Sequence, residues 1–191
     1  MFMAIVLASA SPRRQQLLEQ IGCSFSIMAS DFVEDNTIDL PADELAVAQA
    51  KGKACAVAAK ANAGDIVIGA DTIVVLDGQV FGKPVDRDDA CRMLTSLSGK
   101  EHLVITGLAV VRDNLIMTDC SITTVKFRTL TATEIERYIA TGEPEDKAGA
   151  YAIQGVGALL VENICGCYTN IVGLPLVTLA RLMSKVGVVL L

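Results

Sequence analysis

Short, nearly continuous apolar runs alternate along this chain with longer segments whose apolar residues recur at helical spacing. The first run, Ile5-Val6-Leu7-Ala8, predicts a strand, and Pro12 opens a helix over 12–21. Weak alternation over 24–29 predicts a second strand. An acidic loop follows, with Asp31, Glu34, Asp35, Asp39, Asp43 and Glu44 in close succession. The Ala-rich stretch 42–61 is strongly helical by propensity. Leu45, Ala48, Gly52, Cys55 and Ala59 share one stripe of it, so this helix should pack closely on something flat, with Lys51, Lys53 and Lys60 off the stripe. Residues 65–76, DIVIGADTIVVL, predict a buried strand that ends in an Asp77-Gly78 hairpin turn.

The second half continues the mixture. A helix over 87–97 has Asp86 as its cap and Gly99 as its stop, and strands over 101–111 and 115–128 join at Asp113-Asn114 as a hairpin. Thr131 and Glu134 form a capping box for a helix over 132–140. A strand over 159–164 and a last helix over 175–185 complete the chain, the helix presenting Leu176, Leu179, Ala180, Leu182 and Met183. Strands and helices mix without strict βαβ alternation. The expected fold is therefore α/β: a two-lobed domain around a strongly twisted mixed sheet flanked by helices, with a central ligand cleft.

Composition narrows the function. With 191 residues and 52% hydrophobic content the chain can bury a full core as one domain. A net charge of −6 argues against broad nucleic-acid binding, which needs a basic surface. No apolar run reaches eighteen residues and the N-terminal segment lacks a basic stretch, so neither a membrane span nor a signal peptide is expected, and the expected location is cytoplasmic. The six cysteines form no Cys-x-x-Cys pair and read as small buried hydrophobes. His102 is the only histidine, which excludes a multi-histidine metal site; its expected place is a strand end, satisfied by a backbone partner.

Within this frame the stretch IVLASASPRRQQL suits a phosphate. Ser11 reads as a helix cap whose hydroxyl accepts a free backbone N–H, and the loop of Ala8, Ser9 and Ala10 faces the positive helix end. Arg13 and Arg14 add forked donors, although the same pattern also serves as ordinary helix punctuation with a solvated face. Asp71 stands inside an apolar strand, where an unpaired carboxylate is costly, so it needs a cation, a metal or hydrogen-bond donors; the alternative is a cap on a bulge at Gly69. Lys83 in Gly-Lys-Pro either reaches a phosphate or is an exposed turn lysine. Residues 146–157, DKAGAYAIQGVG, are small enough for the backbone to approach a ligand closely. A Walker lysine motif, a Gly-x-Gly-x-x-Gly fingerprint and a nucleophile elbow are all missing, which weakens kinase, dehydrogenase and esterase readings.

Taken in order, LASASPRRQQLL, the Glu34 region, the helix around Lys53, IGADTIVV, GKP, LSGKEH, DKAGAYAIQG and NIVGLPL resemble the Maf family of nucleoside triphosphate pyrophosphatases, historically linked to septum formation. The resemblance spans nearly the whole chain and implies a single domain over 1–191. It implies an enzyme that hydrolyses a nucleoside triphosphate to the monophosphate and pyrophosphate with a divalent metal cation, Mg2+ or Mn2+. The site it implies comprises Ser9, Arg13, Arg14, Glu34, Lys53, Asp71, Lys83 and Gln154. Asp71 corresponds to the general base and, with Glu34, to the metal carboxylates; Lys53 and Lys83 are catalytic cations; Arg13, Thr72 and Gln154 stand where base preference is set. The block 146–155 resembles the branch acting on dTTP and UTP, with modified pyrimidine triphosphates as further substrates, although Ala152 replaces a glycine common there. A 7-methyl-GTP pyrophosphatase and a non-catalytic nucleotide-binding regulator of cell division are the alternatives. The partners implied are a small-molecule nucleoside triphosphate and a second copy in a homodimer, with neither nucleic acid nor membrane.

Overall fold

The computed structural model describes residues 3–191; Met1 and Phe2, part of the domain expected over 1–191, lie outside the described residues. Seven strands form one mixed sheet. They are β1 (Ile5–Leu7), β2 (Ser26–Ile27), β3 (Ile66–Leu76), β4 (Gln79–Phe81), β5 (Glu101–Arg112), β6 (Leu115–Phe127) and β7 (Val161–Cys165). Their order is β2-β1-β3-β5-β6-β7, with β4 paired to the far end of β3. β1 is parallel to both neighbours, and the other pairings are antiparallel. The helices are α1 (Pro12–Gln20), α2 (Ala42–Ala58), α3 (Arg87–Leu97), α4 (Ala132–Ile139), α5 (Tyr168–Val172) and α6 (Leu176–Lys185), with 3-10 turns at Ala148–Ala150 and Gly155–Leu160.

The side chains of β3 explain the two predicted lobes. Successive residues of a strand point to opposite faces. On one face Ile66, Ile68 and Ala70 join a core with α1 and α6, whereas Val74 and Leu76 join a second core with α3 and α4. Thr72 stands between them. On the other face Val67, Ile73 and Val75 pack with residues of α2. β5 repeats the pattern: Leu108 and Val110 belong to the first core, Val104 to the second, and Thr106, between them, is paired with Thr72. The lobes are thus two ends of one sheet, sharing long strands.

α2 lies closely on this sheet, as its small residues predict, but on a rotated face of the helix. Leu45 from the expected stripe is buried together with Ala46, Gln49, Ala50, Lys53, Ala54 and Val57, while Ala48 and Ala59 are exposed. The reason lies in the strands. A Cβ at Gly69 would overlap the Ala50 carbonyl and stand 2.8 Å from Ala54 Cβ, and one at Gly107 would overlap the Ala46 carbonyl. The two strand glycines therefore select the helix face that approaches, and Lys53 comes down with it.

Other boundaries shift for local reasons. The strand expected over 24–29 is only Ser26–Ile27, an edge strand with both residues exposed. The strand expected over 159–164 starts at Val161, because the glycine-containing run Gly155–Leu160 winds into a 3-10 turn first. Ser11 does cap α1, yet its hydroxyl accepts no backbone N–H; instead Ser9 Oγ accepts from Ser11 N at 3.2 Å. Asp86 and the Thr131–Glu134 capping box form as expected. His102 is buried but meets a side chain rather than backbone: its Nε2 lies 2.8 Å from the Tyr151 hydroxyl, and Phe127 packs edge-on against the ring.

Candidate active site

Between β1 and β4 one side of β3 carries no paired strand, because β1 pairs only as far as Ile68 and β4 begins at Val74. A cleft of about 440 Å³ opens at this gap. The loop leading into α1, the 30–36 segment, the Gly82-Lys83 turn and the 146–154 segment surround it. Ser9, Arg13, Arg14, Glu34, Lys53, Asp71, Thr72, Lys83 and Gln154 all line this one cleft.

Asp71 lies on the α2 face of β3, 5% exposed, in unbroken register with Gly107 of β5, so no bulge at Gly69 needs a cap. Lys53 Nζ, carried by α2, stands 2.6 Å from Asp71 Oδ1 and 2.6 Å from Glu34 Oε1. One ammonium thus bridges two carboxylates. Burial alone would push the Glu34 carboxyl up, but the Lys53 hydrogen bond and charge, with Lys83 and Arg14 further off, hold it below the usual carboxylate range. The second oxygen of each carboxylate has no protein partner among the described residues. No cluster of three His, Cys, Asp or Glu residues among the described residues forms a complete metal cage. Two free carboxylate oxygens are nevertheless what Mg2+ takes from a protein when substrate phosphates and water complete its shell.

The two arginines divide their work. Arg14 is braced inward, with Nε donating to the Gly173 carbonyl at 2.8 Å, Nη1 to Ser9 Oγ at 3.1 Å and Nη2 to Thr72 Oγ1 at 3.2 Å. Thr106 Oγ1 donates to the Asn170 carbonyl at 2.9 Å, so it accepts from Thr72 Oγ1, also at 2.9 Å. A directed chain, Arg14 to Thr72 to Thr106 to Asn170, therefore crosses the seam between the two cores. Thr72, expected at the base-reading position, uses its hydroxyl in this brace. Ser9 Oγ accepts from Arg14 and from Ser11 N, which leaves its O–H to point at a ligand. Arg13 is less engaged, its guanidinium 3.5 Å from Asp146. Lys83 is exposed and has no hydrogen bond or ion pair with another described residue.

Several contributors carry no sequence signal of their own. Phe32 lies against α2 at Gly52, where a Cβ would stand 2.8 Å from the ring's Cδ2, and Gln49 Nε2 donates to the Asp35 carbonyl at 2.7 Å. These contacts strap the Glu34 segment to the helix that bears Lys53. Asn170 on α5, fully buried, donates to the Val104 carbonyl and to Thr123 Oγ1. Tyr151 lines the cleft and leans on His102, whose imidazole burial pushes down to about 4 and so keeps neutral at pH 7.

Known proteins share this sequence at length. A 52% identical relative from Acetivibrio thermocellus, aligned over 96% of both chains, is named dTTP/UTP pyrophosphatase. Relatives from Gloeobacter violaceus, 47% identical over 97% of each chain, and from Desulforamulus reducens, 46% identical over 96% of this chain and 97% of its own, carry the same name. A crystal structure of a nucleoside-triphosphatase / dITP/XTP pyrophosphatase from Mycobacterium abscessus aligns with 73% of this chain and 93% of that one, at 15% identity and a TM-score of 0.40, a likeness too weak to bear on chemistry here. The family model described as Maf-like protein matches residues 4–186, and on that span the chain belongs to the Maf-like protein family.

Proposed function

We propose that this protein is a nucleoside triphosphate pyrophosphatase that cleaves dTTP and UTP between the α and β phosphates. The observation that carries this reading is the Glu34–Lys53–Asp71 bridge on the floor of a cleft whose rim holds Arg13 and Lys83. Such a cleavage needs a water aimed in line at the α phosphorus, a base for its proton, and fixed cations for the departing pyrophosphate. The free oxygen of Asp71 takes the proton. Lys53 holds Asp71 in place and keeps positive charge beside the reacting phosphate. Arg13, Lys83 and the Ser9 hydroxyl bind the phosphate chain, and Arg14 fixes Ser9 and Thr72 in their orientations.

Glu34 and Asp71 are the carboxylates that would hold a divalent cation, Mg2+ or Mn2+, which would supply further charge neutralisation on the phosphates. Gln154 lines the cleft, its amide without a hydrogen-bond partner among the described residues, which suits a pyrimidine edge that both donates and accepts. The names of the relatives support the pyrimidine reading over 7-methyl-GTP. The net charge of −6 supports a small anionic ligand over nucleic acid, and such a substrate belongs to the cytoplasm.

Pyrophosphate release from dTTP, UTP, CTP and 7-methyl-GTP, each with Mg2+ or Mn2+, tests the proposal. Release from dTTP and UTP is expected, with the other two at least about tenfold slower, as follows when the Gln154 amide is held in the orientation that matches thymine and uracil. No release from any of the four would return the protein to the regulator reading.

Lys83→Ala gives a second expectation. The lysine is exposed and has no partner among the described residues, so its charge is expected to act on the departing pyrophosphate. Its loss should lower kcat by about 10²-fold, the usual effect of removing one electrostatic contact to the transition state, with KM little changed. A rise in KM with unchanged kcat would make Lys83 a binding group only.

A further inference from the structure

We infer that Tyr138 and Glu143, neither of which lines the cleft, are positioning residues that set base selectivity by fixing the loop on both sides of Gln154. The inference rests on the reading of Gln154 as a base contact. Tyr138, on α4, is 3% exposed, and its hydroxyl donates to Glu143 Oε1 at 3.0 Å. The same hydroxyl accepts from Ala152 N at 3.1 Å, two residues before Gln154. The Glu143 carboxylate accepts from Val156 N and Gly157 N, each at 3.0 Å, just after Gln154. Three hydrogen bonds thus tie the backbone at Ala152, Val156 and Gly157 to one phenol and one carboxylate, a fourth joins the phenol to the carboxylate, and Gln154, which lines the cleft, lies between the anchors.

The chain is shaped to receive this pair. Gly155 has φ +67, and a Cβ there would stand 2.7 Å from Glu143 Oε2. A Cβ at Gly157 would stand 2.6 Å from the Tyr138 hydroxyl and 3.0 Å from Glu143 Oε1. Gly155 thus leaves room for the carboxylate, while Gly157 leaves room first for the Ala152 carbonyl and then for the Tyr138 hydroxyl. The charge matters as well as the shape. All three groups that face the carboxylate at these contacts are donors, so a neutral amide in its place turns an N–H toward at least one of them. The clamp is also joined to the phosphate side of the cleft. Lys147 Nζ donates to the Glu143 carbonyl at 2.8 Å and pairs with Asp146, which pairs in turn with Arg13. Movement of the loop would nevertheless displace the base contact first and the phosphate side less, because Arg13 stands on α1, Lys53 on α2, Asp71 on β3 and Lys83 in the turn after β4, all outside the clamped segment.

Glu143→Gln is the direct test, and Tyr138→Phe a second variant that removes one anchor from the other side. For each, kcat and KM are measured with dTTP and CTP beside Gln154→Ala, and thermal melting checks the fold. In both clamp variants the ratio of kcat/KM for dTTP over CTP is expected to fall about tenfold, through KM for dTTP, with kcat nearly unchanged, as follows when a contact is misplaced without touching the reacting atoms. Gln154→Ala should collapse the same ratio. If Gln154→Ala collapses it while both folded clamp variants keep the wild-type ratio, the clamp has no role in selectivity and the inference is overturned alone. If Gln154→Ala leaves the ratio intact, the base reading fails and the inference falls with it. A uniform loss of kcat on both nucleotides would mark Tyr138 and Glu143 as general scaffolding, which also overturns it.

Discussion

Asp71→Asn is expected to lower the rate of pyrophosphate release by about 10³-fold, within the range that general-base catalysis supplies, while the protein still folds and binds nucleotide. The substitution keeps size and shape at a position that is 5% exposed on the strand and keeps an oxygen able to accept from Lys53 Nζ. What it removes is the ability to take a proton. Lys53 does not become an unpaired buried charge, because Glu34 Oε1 still lies 2.6 Å from its ammonium. That second partner separates this substitution from the usual one-sided loss of a buried ion pair, which destabilises strongly. Melting followed by circular dichroism should therefore move by only a few degrees while steady-state turnover collapses. Turnover within tenfold of the wild type would remove Asp71 from the proton-transfer step.

Part of this candidate site is legible in the sequence because its members break local rules, whereas Glu34, Lys53, Thr72 and Gln154 are implied by the family resemblance alone. A carboxylate in DIVIGADTIVVL and paired arginines at a helix start each demand a partner, and the cleft gathers those partners with Lys83 and Gln154. The long strands and the capped helices α3 and α4 are equally legible, since apolar runs, turns and capping side chains act over a few residues. Lys53 shows the limit. By helical spacing it falls off the small-residue stripe, yet it is buried, because glycines on β3 and β5, far along the chain, decide which face of α2 approaches. The partner of His102 was out of reach for the same reason: Tyr151 is local to another segment, and only the folded chain sets the two rings side by side. Tyr138 and Glu143 look like an ordinary amphipathic position and an ordinary loop acid. Their meaning lies in backbone N–H groups, which carry no residue identity.

Gly107→Ala should be among the most damaging single-methyl changes in this protein, and its effect should reach the active site. Gly107 lies opposite Asp71 on the neighbouring strand and faces α2. A Cβ there would overlap the Ala46 carbonyl and stand 2.5 Å from Val47 N, so the obstacle is helix backbone and no side chain can rotate away. Either the strand or α2 must move as a unit. Ala46, Ala50 and Ala54 are fully buried against the sheet, so displacing the helix opens gaps along its whole contact. Overpacking of this kind costs about 3 kcal/mol when the neighbour cannot yield. For a domain of this size that corresponds to a fall of about 6–12 °C in melting temperature. The same movement withdraws Lys53, two turns further along α2, from Asp71 Oδ1, so kcat should fall even at temperatures where the variant is folded. Gly69→Ala, whose added methyl meets Ala50 and Ala54 on the same helix, should reproduce both effects. An equal change at Gly22, which has φ +68 but nothing within 4 Å of an added Cβ, should strain the backbone without touching turnover. If Gly107→Ala melts within about 2 °C of the wild type, less than a 1 kcal/mol change produces in a chain of this length, α2 does not sit as tightly as its contacts with β3 and β5 require.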